Sequence, residues 1–220
     1  MITRKENTHY LNGFDIPQYT KSVIKPIRDI IDRGGKSWRS YAALACCDIV
    51  GGNSQPVADG LALPEMLHVG SLIVDDVQDK SEKRRGGPSC HKVYGEALAI
   101  NAGCSCYFIG QIAVMHQNQL TDAQKVKIYG QYFEALRAAH AGQALDLSGL
   151  HYMMPHVVES GNGKLLEKKV LAIHRLKTAA PAGYMAQVGA TLGGGTEEQT
   201  AALGEYYLSL IHISEPTRHR

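Results

Sequence analysis

Between its glycine clusters this chain offers almost nothing from which a β-sheet could be built. β-Branched alternation is nearly absent, and Ala, Leu, Gln, Glu and Lys dominate long stretches, which is helix-forming chemistry. Helices are expected near residues 20–32, 37–50, 56–79, 91–116, 122–147, 164–192 and 196–211. Gly51-Gly52, Pro88, Gly161-Asn162-Gly163 and Gly193-Gly194-Gly195 punctuate them. Thr121-Asp122 and Thr196-Glu197-Glu198 have the form of helix starts, a capping residue ahead of acids in the first turn. Several of these helices are apolar most of the way round, as the buried members of a bundle are. The expectation is one all-α domain without repeat or linker, and 220 residues suffice for a sizeable core.

Composition removes several functions. Lys and Arg number 23 against 21 Asp and Glu, a net +2, so there is no global case for nucleic acid or an anionic membrane, and local clusters must carry any phosphate recognition. The five cysteines (Cys46, Cys47, Cys90, Cys104, Cys106) are odd in number and show no zinc-like pairing with histidine. Reduced thiols in an intracellular protein are expected, with Cys46-Cys47 as small core filling. The ten histidines lack paired-ligand spacing. The first residues are too polar for a secretory signal and no apolar run is expected to span a bilayer, which points to the cytoplasm and to no transmembrane segment.

Chemistry concentrates in Ser71-Leu72-Ile73-Val74-Asp75-Asp76-Val77-Gln78-Asp79, an apolar run that ends in three carboxylates spaced D-D-x-x-D. On a helix Asp75 and Asp79 point the same way, with Asp76 about 100° round the axis. Carboxylates this close repel unless a cation shares them, and Mg²⁺ commonly bridges one or two carboxylates to substrate phosphate oxygens. Asp75, Asp76 and Asp79 are therefore the candidate metal residues. Arg84-Arg85-Gly86-Gly87-Pro88 follows, a tight loop with paired guanidinium groups. Gly34-Gly35-Lys36-Ser37-Trp38-Arg39 opens a helix with two cations on one face, suited to an anion, although a solvated basic turn is the alternative for that motif alone. His68 lies two turns before Asp75 on the same face; by itself a helical histidine is as well explained structurally. Lys177-Thr178 sits mid-helix among apolar residues, where a lysine must snorkel or meet an anion.

These pieces, in this order, resemble the trans-isoprenyl diphosphate synthases, the head-to-tail prenyltransferases. The matching runs are G-G-K-x-x-R (34–39), H-x-x-S-L-x-x-D-D-x-x-D (68–79), R-R-G-x-P-x-x-H (84–91), G-Q-x-x-D-L (142–147) and K-T (177–178). The resemblance implies an isoprenoid synthase-type helical bundle with a central cavity, working as a homodimer. It implies that Asp75 and Asp79, supported by Asp76, hold Mg²⁺ on an allylic diphosphate (dimethylallyl, geranyl or farnesyl), with Arg84 and Lys177 adding charge. Isopentenyl diphosphate is then held by Lys36, Arg39, His68 and Arg85, Thr178 and Gln143 line the allylic cation, and Asp146 orients the neighbouring cations. In that family a bulky aromatic four or five residues before the first aspartate limits growth to fifteen carbons. Gly70 and Ser71 stand there, both small, so the expected product has at least twenty carbons, geranylgeranyl diphosphate first among them. Leu67, Tyr107 and Phe108 are candidates for the cavity floor.

One part of the pattern is missing. The family carries a second acidic motif, yet no aspartate at all follows Lys177 here, and the chain closes on Ser209-Leu-Ile-His-Ile-Ser-Glu-Pro-Thr-Arg-His-Arg220. Residues 1–208 are expected to be family-like and 209–220 a divergent or non-native tail, in a chain lacking C-terminal helices and synthase activity of its own. Two other functions compete: a non-catalytic subunit of a synthase, which the missing motif favours but the intact cluster of three carboxylates does not, and a class I terpene cyclase. The cyclase has no use for a second diphosphate pocket, and Lys36, Arg39 and Arg85 argue against it.

Overall fold

The computed structural model describes residues 16–214. Helix dominates, as the residue pattern requires, in two compact units. One takes the described residues up to Leu44 with Gln55–Thr121; the other takes Ala45–Ser54 with the described residues from Asp122 onward.

The first unit is organised by α4 (Ala62–Gln78). Its apolar positions recur every three or four residues, and Leu63, Met66, Leu67, Gly70 and Ile73 are all buried. This face packs on α6 (Glu96–Ile109), through Ala99, Ala102 and Cys106, all fully buried. Before them come α1 (Ile16–Tyr19), α2 (Lys25–Ile31), which adds Ile27 and Ile30 to the same core, and the start of α3 (Trp38–Ile49). Each fully buried Val or Ile contributes about 2 kcal/mol. A single helix expected at 91–116 is broken into α5 (Cys90–Tyr94), α6 and α7 (Gln111–Met115). Gly95, at φ 81, makes the first break. Although no membrane-spanning run was expected, Glu96–Met115 is long and apolar enough, by length and composition, to cross a membrane. Its alanine and cysteine face is buried against α4.

The second unit is built on α8 (Asp122–Ser148) and α11 (Ala180–Leu192). Ile128, Tyr132 and Ala135 of α8 are buried, and Gln131 hydrogen-bonds Thr191 of α11 at 3.1 Å. Ten residues of α11 are buried around its circumference, the central member the composition called for. A short helix, α9 (Met154–Ser160), falls where none was expected. Next comes α10 (Gly163–His174), capped by the Asn162 side chain, which accepts from the Leu165 N–H at 3.1 Å. The last helix, α12 (Glu197–Ser214), opens on a reciprocal box: the Gln199 N–H donates to Thr196 Oγ1 and the Thr196 N–H to Gln199 Oε1. It runs past residue 208, where the divergent tail was placed; residues 215–220, with Pro216, lie outside the described residues.

Two segments wind as π-helix, Thr20–Ile24 and Arg175–Ala179. In each, a proline stands two residues after the π turn, Pro26 and Pro181. The N–H just before it reaches back five residues, from Lys25 to Thr20 O and from Ala180 to Arg175 O. Proline lacks the N–H that the carbonyl four residues earlier needs and its ring crowds that carbonyl, so the ladder slips by one. Lys177 and Thr178 sit within the second slip.

Candidate functional site

Asp75 is in the last turn of α4 and Asp79 just past its end, its N–H donating to Asp75 O at 2.8 Å. Lys80, at φ 52, turns the chain out of the helix. The third carboxylate differs. Asp76 is 0 % exposed, and both its oxygens accept from Arg84 Nε at 3.0 Å, with Arg84 Nη2 also on Oδ1. That hydrogen bond raises the arginine's pKa further. Asp76 thus acts here as the buried partner of Arg84, and the hard-oxygen pair suited to Mg²⁺ is Asp75 with Asp79. Among the described residues no three His, Cys, Asp or Glu side chains converge as a ligand set. Two helix-face carboxylates still fit a cation whose other ligands come from phosphate and water.

Arg84 and Arg85 stand on a minimal hairpin, β1 (Lys83–Arg84) paired antiparallel with β2 (Gly87–Pro88). Arg85 (φ 50) and Gly86 (φ 76) form its two-residue turn, whose positive angles match strand twist. The two arginines reach different carboxylates of α4. Arg84 meets Asp76, and Arg85 Nη2 meets Glu65 Oε1 at 3.1 Å while its Nη1 donates to Ile30 O at 3.2 Å. Eleven residues, about 16 Å of helix, separate the two acids. The sequence reading passed over Glu65; the available signal was an acid three residues before His68 on a mostly apolar helix, which needs a cation to be buried.

Lys36 is exposed on the loop before α3, where Ser37 holds φ 42. Arg39 lies 4.6 Å from the Trp38 ring centre, and its Nη1 is 3.4 Å from His68 Nε2. Burial, with Arg39, Arg85 and Arg84 nearby, pushes the His68 pKa down to about 3. The imidazole is therefore neutral, an acceptor for Arg39 rather than a third cation. The folded state resists a proton that the unfolded chain takes near pH 6.5, so this contribution is complete above pH 6.5 and is lost as pH falls from there towards 3. His68→Gln is expected to flatten the acid loss of stability over that window by at most about 1.4 kcal/mol per pH unit. Urea unfolding at several pH values between 4 and 7 measures it.

In the second unit Gly142 explains the rest of its motif. A Cβ there would sit 2.3 Å from Lys177 N and 2.6 Å from its Cα, so α8 and the π turn touch backbone to backbone. One turn further along α8, Asp146 Oδ2 accepts from Lys177 Nζ at 2.7 Å. Gln143 and Thr178 are half-buried.

Of the chain-length residues, Gly70 has a packing reason to be small. A Cβ there would meet Gly103 O at 2.7 Å, Cys106 Cβ at 2.8 Å and the Tyr107 ring at 3.0 Å, all on α6. Ser71 is half-buried, its hydroxyl donating to His68 O at 2.8 Å. Leu67 is buried and Tyr107 half-buried beside Gly70, whereas Phe108, 63 % exposed, points away from any floor.

Comparison with known proteins agrees with this geometry. The polyprenyl synthetase family model matches residues 20–211. Geranylgeranyl pyrophosphate synthase 12 (chloroplastic) of Arabidopsis thaliana is 31 % identical over 215 residues, 94 % of this chain and 57 % of that protein. A short chain isoprenyl diphosphate synthase of Methanothermobacter thermautotrophicus is 30 % identical over 187 residues, 84 % of this chain and 54 % of that one. Thus the chain spans little more than half the length of the curated relatives it matches. In fold it resembles the crystal structure of geranylgeranyl pyrophosphate synthetase from Pyrococcus horikoshii, with a TM-score of 0.74 at 24 % identity, covering 94 % of this chain and 59 % of that one.

Proposed function

The chain belongs to the polyprenyl synthetase family, and we propose that it serves head-to-tail condensation of isopentenyl diphosphate with an allylic diphosphate. The observation that carries the reading is one helix, α4, whose Asp76 and Glu65 each hold one arginine of the hairpin while Arg39 stands against its His68. Such a site has separate places for a metal-bound diphosphate and for a second, cation-bound one. Asp75 and Asp79 would hold Mg²⁺, which when bound offsets the charge of a departing diphosphate. Arg84, oriented by Asp76, faces the same group, and we extend that role to Lys177. Isopentenyl diphosphate is assigned to Lys36, Arg39 and Arg85, with neutral His68 orienting Arg39. The allylic C–O bond breaks with its electron pair on the diphosphate oxygen. The isopentenyl double bond attacks the resulting cation, and the proton then lost passes to the released diphosphate. We assign Thr178 and Gln143 to the cation, as oxygen dipoles.

A product of twenty carbons, geranylgeranyl diphosphate, is supported by small Ser71 and by relatives named for that product. A homodimer is supported by Ile100, Phe108 and Met115, exposed apolar residues of α6 and α7 that a second copy could cover. A second reading is a non-catalytic subunit that binds a synthase. An assay with isopentenyl diphosphate and each allylic starter, with and without Mg²⁺, separates the two. The expected outcome is poor elongation by the 220 residues alone, and Mg²⁺-dependent formation of twenty-carbon product once a chain supplying a second acidic motif is present. Farnesyl diphosphate as sole product would refute the chain-length assignment.

A further inference from the structure

Arg33 has no part in the diphosphate reading, yet it is the residue that ties the two cationic loops together. Its Nη1 donates to Arg84 O at 3.1 Å and to Pro88 O at 2.7 Å, one carbonyl on each strand of the arginine hairpin. A Cβ built on Gly87 would lie 2.9 Å from Arg33 Cζ and Nη1 and 3.1 Å from Nε, so the guanidinium lies face-on against that glycine. The arrangement is reciprocal. A Cβ on Gly35 would lie 2.9 Å from Arg85 Cζ and Nη2 and 3.3 Å from Nε, while Arg85 also donates to Ile30 O, at the end of α2. Each loop thus sends one arginine across to lie on a glycine of the other; Arg33 bonds two hairpin carbonyls and Arg85 the Ile30 carbonyl at the end of α2.

Neither segment has much order of its own. The hairpin has two-residue strands, and residues 34–37 have no regular structure; a lone hairpin is marginal in water. We propose that Arg33 and Arg85 interlock the loop at 33–39 and the hairpin at 83–88 into one anion-binding unit, with Arg33 as the positioning residue that sets where Arg84 and Arg85 stand. The identity of the anion, isopentenyl diphosphate, rests on the proposed function; the interlock does not. Arg33 Nη1 donates to the hairpin backbone, and the residue acts through its neighbours.

The test is a double-mutant cycle on Arg33→Ala and Gly87→Ala in the 220-residue chain. It is read by hydrogen exchange of residues 82–89 without ligand and by calorimetric Kd for isopentenyl diphosphate. Losing two hydrogen bonds to the hairpin is expected to speed exchange of 82–89 about tenfold and to raise that Kd about tenfold. Gly87→Ala alone, whose methyl displaces the guanidinium, reproduces much of both changes and adds little once Arg33 is gone. Arg33→Lys, which can still donate to a carbonyl, restores part of the loss. Unchanged exchange in Arg33→Ala, or a Gly87→Ala effect equal in both backgrounds, overturns the interlock. A coupled cycle in exchange with no isopentenyl diphosphate binding even by the parent chain supports the interlock and overturns the reading of the anion. If Arg33→Ala does not fold, Gly35→Ala reads the same device from the other side: its methyl displaces Arg85, and exchange of 82–89 must quicken, or the interlock is wrong.

Discussion

Asp76→Ala is expected to cost about 3 kcal/mol of stability, well before any question of catalysis arises. The carboxylate it removes is wholly buried and holds Arg84, whose side chain is 28 % exposed, by a fork of hydrogen bonds. Deleting one member of such a pair leaves the other charge part-buried without its partner, which is worse than having neither. The neighbouring Asp75→Ala, at the position proposed for the metal, is expected to change stability by less than about 1 kcal/mol. Guanidinium unfolding of the two variants beside the parent chain measures the contrast. Equal stabilities would remove Asp76 from the role of buried partner to Arg84.

The second large effect lies at Gly142. A methyl there meets main-chain atoms, Lys177 N at 2.3 Å and Leu176 C at 2.8 Å, and backbone cannot swing aside as a side chain can. Gly142→Ala is expected to destabilise by about 3 kcal/mol as overpacking, and to part Lys177 from Asp146. Gly130, on the same helix with nothing within 4 Å of a notional Cβ, is the control. Gly130→Ala is expected to stabilise by about 0.5–1 kcal/mol through helix propensity alone. Thermal unfolding of both variants checks the pair, and a neutral Gly142→Ala would mean that α8 and the π turn do not pack as closely as described.

Where the residue pattern was periodic and long, it spoke plainly. The helical class and the starts at Asp122 and Glu197 follow from propensity and capping, and the acidic motif closes a helix, with Asp75 and Asp76 in its last turn and Asp79 just past its end. The hairpin was illegible because two-residue strands have no period to read. The slip at Arg175–Ala179 was hidden inside an uninterrupted apolar pattern; Pro181 was the available warning. Helical spacing set Asp76 about 100° round from Asp75 and Asp79, but its burial against Arg84 was hidden, since that arginine arrives from the hairpin. Gly70, small for one stated reason, is also small because α6 leaves no room for a Cβ.

A metal-dependent diphosphate site at the acidic end of α4 and the cationic loops beside it is what the proposed function requires. Calorimetric titration of the 220-residue chain with geranyl diphosphate, with and without Mg²⁺, in parent and Asp75→Ala proteins, tests it most directly. The expected result is binding that requires Mg²⁺ and is lost in Asp75→Ala while that variant stays folded. Binding equally tight without Mg²⁺, and undiminished by Asp75→Ala, would contradict it.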